Sequence, residues 1–248
     1  MNDAAVPALL ALVLISALSL VGAVTLTIAP ERLRRGLIVL VAFAAGALLG
    51  DAFVHILPEV AESEAGFDLT ASLSLVLGVV VFFVLEKVLH WHHSHMPTEE
   101  VMHPVATMNL VGDGLHNFID GAIVATAFTV SPEIGIATAV AVGLHEIPQE
   151  LGDFGILVHS GVRPRRALFL NVATGAMAII GGATALLAGS VTAIERPLLP
   201  FTAGAFVYIA STDLIPELHK EPEPAKSVVQ VIALVAGVAT MVALRVFE

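Results

Sequence analysis

Histidine and carboxylate side chains recur at helical spacing inside two long apolar runs. The first run reads Val111-Gly112-Asp113-Gly114-Leu115-His116-Asn117-Phe118-Ile119-Asp120-Gly121, and the second Gly143-Leu144-His145-Glu146-Ile147-Pro148-Gln149-Glu150-Leu151-Gly152-Asp153. On a helix, His116 and Asp120 stand one turn apart on one face, Asn117 lies beside them, and Asp113 extends the stripe. His145 and Gln149 repeat that pairing, with Glu146 and Glu150 alongside and Asp153 a turn beyond. Facing one another, the two stripes offer imidazole nitrogen, carboxylate oxygen and amide oxygen at one point. That donor set suits a borderline first-row divalent ion, above all Zn²⁺, with Fe²⁺ and Mn²⁺ as alternatives. A Cu⁺ site would need soft sulfur ligands, and the chain has no cysteine. Ionisable groups at membrane depth are costly and mark function. Asp120 and Glu146 meeting there call for a cation, with protonation as the substitute when the ion leaves.

The remaining sequence fixes what must hold these stripes. Of 248 residues, 57% are hydrophobic and only 13% charged, against about 25% charged in an average soluble domain. Eight stretches are apolar and long enough to span a bilayer: 5–29, 36–58, 70–90, 104–129, 133–159, 166–190, 197–217 and 227–246. The expected fold is all-α, a single polytopic transmembrane domain over 1–248 with antiparallel neighbours and short connections. The net charge of -11 resides in loops and in the polar clusters, and 11 basic residues without a dense patch exclude nucleic acid as a partner. The acidic start Met1-Asn2-Asp3, followed by a long apolar run and then arginines, argues for a first span that is retained.

Positive charge orients the spans. Arg32, Arg34, Arg35, Lys87, Arg163, Arg165, Arg166, Lys220 and Lys226 fall on the side of the odd loops, leaving Arg196 and Arg245 on the other. The odd loops therefore face the cytoplasm and both termini are extracytoplasmic. The segments 46–59 and 204–217 also align, with five of 14 positions identical. They lie in spans two and seven, which cross in opposite senses, as in an inverted repeat.

Span two adds Asp51 and His55, again i, i+4, and ends in Pro58-Glu59. Residue counting puts His55 nearer the outer end than the centre, so it reads either as a ligand or as an outer-gate residue. Asp51, Asp113, Asp153 and Asp213 lie on the cytoplasmic side of their local site residue or span centre. With Glu150 they are candidates for an acidic pathway. Asn171 in span six is a candidate ligand or a packing hydrogen bonder. Pro148 removes a backbone donor from the second stripe. His90, His92, His93, His95 and His103 form a His-rich cytoplasmic loop over 90–103 that would receive, buffer or sense the ion.

His116-Asn117-Phe118-Ile119-Asp120-Gly121 and His145-Glu146-Ile147-Pro148-Gln149-Glu150-Leu151-Gly152-Asp153 strongly resemble the paired motifs of the ZIP family of divalent metal transporters. They are most similar to the branch whose fifth span reads HEIPHELGD. Gly50 to Glu59 resembles that branch's second span and Pro216-Glu217 its seventh. The resemblance implies import of Zn²⁺, with Fe²⁺, Mn²⁺ or Cd²⁺ as further substrates, across the plasma or inner membrane by an elevator-like alternation. It implies a principal metal site at His116, Asp120 and His145 with His55 contributing, and an adjacent second position at Asn117 and Glu146. A homodimer in the lipid bilayer is a further implication. Gln149 departs from the pattern, which has His or Glu there. The expectation is one well-held ion and a second position that is poor or empty. Two rival readings are an intramembrane metalloprotease and a metal-gated channel or sensor. His145-Glu146-Ile147-Pro148-Gln149 lacks the second histidine and the unkinked helix of H-E-x-x-H, so no enzyme is expected.

Overall fold

The described residues form eight helices, several of them opened by a proline. The computed structural model describes residues 4–27, 30–63, 66–95, 103–188 and 192–245, and among these there is no strand. Helix α1 (Ala5–Ala17) tightens into a 3-10 stretch, Leu18–Thr27. Helix α2 (Pro30–Gly50) runs through a π-helical turn, Asp51–Ile56, into Leu57–Glu62. Next come α3 (Leu69–His95), α4 (Pro104–Val130) and α5 (Pro132–His159). Helix α6 is Pro164–Gly175 and Met177–Ala188 with a turn at Ala176. Helix α7 (Thr192–Ile209) passes through a π turn, Ala210–Leu214, into Ile215–Leu218, and α8 is Pro224–Leu244. Pro104, Pro132, Pro164 and Pro224 sit at the first turn of their helices, where a missing N–H costs nothing.

Six of these helices are long and apolar enough to cross a membrane. The other two, α4 and α5, are 27 and 28 residues long and carry the polar stripes. The helix of α3 extends to His95, so the first part of the His-rich stretch is helical backbone rather than loop. Its 90–95 side chains and residues 96–102 lie outside the described residues.

Among the described residues, two larger apolar cores hold the helices, with a small third one around Phe154 and Leu157. One is built from α2, α3 and α7, with Val41, Leu48, Phe82, Phe206 and Ile209 at its centre, and α8 is packed along α2. The other joins α1, α4, α5 and α6 through Leu12, Ile15, Val124, Phe128 and Ala185. Within each core the closest contacts are made by glycine. A Cβ on Gly46 would stand 2.0 Å from the Leu234 carbonyl oxygen, and one on Gly237 2.3 Å from that of Phe43. Between α3 and α7, a Cβ on Gly204 would stand 2.1 Å from the Leu75 carbonyl oxygen, and one on Gly78 2.1 Å from that of Phe201. Such backbone approach suits helices in lipid, where association rests on packing rather than on hydrophobic drive.

Gly181 meets the Phe118 carbonyl oxygen at 1.8 Å by the same measure, and Gly121 the Ala178 oxygen at 1.9 Å. These contacts press α6 against the polar-stripe helix α4. Gly181→Val is therefore expected to push the two helices apart and lower stability by about 1–3 kcal/mol. Thermal unfolding of the detergent-solubilised protein reads this, and an unchanged melting temperature would contradict the tight contact.

Outward faces of α3 and α8 carry exposed Leu73, Leu77, Val80, Val231, Ile232 and Val235. Ion pairs gather at the helix ends. Arg196 pairs with Asp68 and Arg245 with Glu62 (2.9 Å) at one end; His159 and Lys220 both pair with Glu217 at the other. Asp68 also caps α3, accepting from the Ala71 N–H at 2.9 Å. That amide, with the Arg196 guanidinium beside it, holds the Asp68 carboxyl below the usual carboxylate range.

Candidate metal centre

A one-residue joint sets the depth of the two polar stripes. Ser131 separates α4 from α5, and its hydroxyl accepts from the Ile134 N–H at 3.2 Å, capping α5. His116 lies 131 − 116 = 15 residues before this joint and His145 lies 145 − 131 = 14 residues after it. At about 1.5 Å per residue the two histidines come to the same level. His145 Nε2 is 2.8 Å from Asp120 Oδ2, and His116 Nε2 is 3.5 Å from the same oxygen.

Helix α2 closes the third side. Leu57 N–H reaches back five residues to the Ala52 carbonyl oxygen, the π-helical bond that goes with a proline at 58 unable to donate. This turn carries Asp51 and His55 inward. The His55 ring lies 4.6 Å from that of His145, and His116 is 5.6 Å from His145 on the same measure. Asp51 Oδ2 is 4.0 Å from His116 Nε2, and its Oδ1 is 3.9 Å from His55 Nδ1. The depth that residue counting suggests for His55 is thus misleading. Helix α2 stops at Glu62, while α4 and α5 run on past the cluster to their joint, so a short count from the end of α2 reaches the same level as a long count along α4.

That mismatch in length leaves a cavity of about 480 Å³ above the cluster. Its floor is His55, His116, Asp120 and His145; Glu59 and Arg245 stand on its wall. Ligand atoms of His116, Asp120, His145 and Glu146 all lie within 4.8 Å of one another. Two ligands of one tetrahedral zinc stand about 3.3 Å apart, given bonds of about 2.0–2.1 Å. The cluster needs little contraction to hold an ion.

Its electrostatics point the same way. Glu146 is 2% exposed and neither carboxylate oxygen has a hydrogen-bond partner among the described residues. The same holds for both oxygens of Asp51, for His116 Nε2, and for both polar atoms of the Gln149 amide. Buried groups of this kind are ordinarily bonded, and leaving several together without partners is expensive. A divalent cation would supply a partner to the oxygens and the imidazole nitrogen among them, though not to the Gln149 N–H donors.

Asn117 sits one turn below His116's partner set and donates from Nδ2 to Asp113 Oδ1 at 2.9 Å. Further along, Asp113, Glu150 and Asp153 are buried, and Asn171 donates to the Glu150 carbonyl oxygen at 2.9 Å, which places it below the cluster. Asp213 stands apart. It lines a second cavity of about 400 Å³ at the opposite end, with His103, His159, Glu217 and Lys220. Several contributors escaped the sequence reading. Asn109 donates to Asp153 Oδ1 at 3.0 Å and cross-links α4 to α5; it stands four residues before Asp113, so the stripe's own period could have found it. Ser19 bonds to Glu150 and Ser16 donates to the Gly175 carbonyl oxygen at 2.7 Å. Nothing in the apolar run around those two serines distinguishes them.

A family model described as ZIP Zinc transporter matches residues 4–105 and 100–245. Zinc transporter ZIP13 of Pongo abelii is 34% identical over 222 residues, covering 84% of this chain and 66% of that protein. Zinc transporter SLC39A7 of Mus musculus is 30% identical over 298 residues, with 85% and 63% covered. Zinc transporter ZIP13 of Mus musculus is 32% identical over 251 residues, with 84% and 70% covered. The chain spans roughly two thirds of the length of these relatives.

Proposed function

The chain belongs to the ZIP zinc transporter family, and from that premise we propose that it imports Zn²⁺ into the cytoplasm through the cluster between α2, α4 and α5. One observation carries the reading. At the floor of a cavity open to one end, imidazole and carboxylate atoms converge within 4.8 Å, and His116 Nε2 and both Glu146 oxygens have no hydrogen-bond partner among the described residues. Asp120 is the central ligand, shared between His116 and His145, with His55 closing the shell from α2. Asn117, Glu146 and Gln149 form the adjacent second position. Fe²⁺, Mn²⁺ and Cd²⁺ fit the same nitrogen and oxygen donors.

The ion enters from the cavity beside Glu59 and leaves past Asp113, Glu150 and Asp153 toward the cavity at Asp213. The basic odd loops orient that exit to the cytoplasm and leave both termini outside, in a multi-pass protein of the plasma or inner membrane. Alternating access comes from the two cores moving past one another. Their boundary along α5 and α2 is smooth: Gly152 faces Ala44 and Gly155 faces Leu40. An inverted repeat underlies the cores. The Gly46–Leu234 and Gly237–Phe43 contacts of α2 and α8 correspond to the Gly204–Leu75 and Gly78–Phe201 contacts of α7 and α3, with the α2 residues mapping 158 positions on and the α8 residues 159 positions back. The aligned π turns before Pro58 and Pro216 support the same symmetry.

Uptake of radioactive Zn²⁺ into proteoliposomes tests the reading. The expected result is uptake that saturates with ion concentration and is prevented by a chelator outside the vesicles. Flux that rises linearly without saturation would mark a channel, and no flux above empty vesicles would end the transport reading.

A further inference from the structure

Asp51 is a residue that the family reading leaves on the pathway, yet it stands at the centre. Its side chain is fully buried, and neither carboxylate oxygen has a hydrogen-bond partner among the described residues. One oxygen faces His116 at 4.0 Å and the other faces His55 at 3.9 Å. Those separations are too long for hydrogen bonds, so the carboxylate is not there to orient either ring through a direct bond. They exceed by little the spacing of about 3.3 Å between two ligands on one tetrahedral zinc. The π turn that carries Asp51 is of the kind found at functional sites.

We propose that Asp51 is a ligand of the transported ion. The proposal rests on the metal-transport reading above and deepens it by dividing the coordination shell between the two cores. Asp120, His116 and His145 belong to α4 and α5, while Asp51 and His55 belong to α2. An ion held by both sets is bound tightly and its charge is met by two carboxylates. When α4 and α5 move past α2, the ion loses Asp51 and His55 together. Its remaining shell is one carboxylate and two imidazoles, a weaker and more positive site from which the ion departs. Asp51 thus sets the difference in affinity between the two sides of the membrane.

The purified full-length chain in detergent supplies the test, with Zn²⁺ affinity measured against a chromophoric chelator and Co²⁺ used as a visible probe of the ligand shell. Asp51→Asn keeps the shape and removes the charge. It is expected to weaken Zn²⁺ binding by more than about tenfold, in the range seen when metal-site partners are lost, and to shift the Co²⁺ spectrum. Asp51→Glu restores a carboxylate displaced by one methylene. It is expected to recover most of the affinity while still altering the spectrum. Wild-type Zn²⁺ affinity in Asp51→Asn, or a wild-type Co²⁺ spectrum in either variant, would overturn the assignment and leave Asp51 as a builder of the turn. Should Asp51→Asn not fold, the spectrum of Asp51→Glu decides alone. Asp120→Ala run in parallel separates the two levels. If it too binds Zn²⁺ like wild type, the site reading fails; if it loses binding while Asp51→Asn does not, only the role of Asp51 falls.

Discussion

Asp120→Ala is expected to abolish Zn²⁺ uptake while leaving the protein folded and inserted. Asp120 Oδ2 is approached by two imidazoles, at 2.8 Å from His145 and 3.5 Å from His116. Truncation removes the carboxylate that joins the α4 stripe to the α5 stripe, so affinity falls by more than the 10–100-fold, roughly, that follows loss of an outer partner of a metal site. Folding survives for a separate reason. Alanine is the best helix former, and α4 is held by glycine contacts to α6 and by the Asn109–Asp153 bond rather than by Asp120. Removing a buried anion also lifts a desolvation cost. Uptake in proteoliposomes and a monodisperse elution profile should be measured on the same preparation. Unaltered uptake would take α4 and α5 out of the transport path.

How much of this was legible in the sequence varies with the physics involved. The α4–α5 hairpin was readable almost completely, because its polar stripes follow the helical period and its joint is short. Span limits were also readable, since 104–129 and 133–159 differ from Pro104–Val130 and Pro132–His159 by one residue at an end. Placement across elements was less accessible. Counting along an ideal helix gives His55 a depth, but depth depends on where α2 ends relative to α4 and α5, and on a π turn that only Pro58 announces. Ser19 stands alone in an apolar run and carries no period, whereas Asn109 continues the α4 stripe one turn before Asp113 and was open to the same reading. Asp213 illustrates the converse: it aligns with His55 in sequence, yet lines the far cavity, as the proposed inverted repeat would place it. Local chemistry is written in the sequence; relative axial offset of helices is written only in their packing.

Gln149→Glu should raise the bound Zn²⁺ from one ion per chain to two. Glu146 and Gln149 are three residues apart on α5 and share a face. Both are buried, at 2% and 3% exposure, and neither side chain finds a hydrogen bond among the described residues. Asn117 commits its Nδ2 to Asp113, so its carbonyl oxygen is the atom left for an ion. As it stands, this second position offers one carboxylate and two neutral amides. A neutral amide oxygen is a weak ligand and cannot bridge two ions. Replacing it with a carboxylate supplies a second charge, which both bridges and neutralises. The same charge has a cost when no ion is present, because like carboxylates repel strongly where water is excluded. The metal-free variant should therefore unfold at a lower temperature than wild type, and Zn²⁺ should raise its melting temperature by more than it raises that of wild type, since each bound ion adds linked stability. Equilibrium dialysis with elemental analysis counts the ions, and thermal unfolding with and without Zn²⁺ reads the linkage. One ion per chain in both proteins, with equal Zn²⁺ stabilisation, would make position 149 a bystander to metal binding.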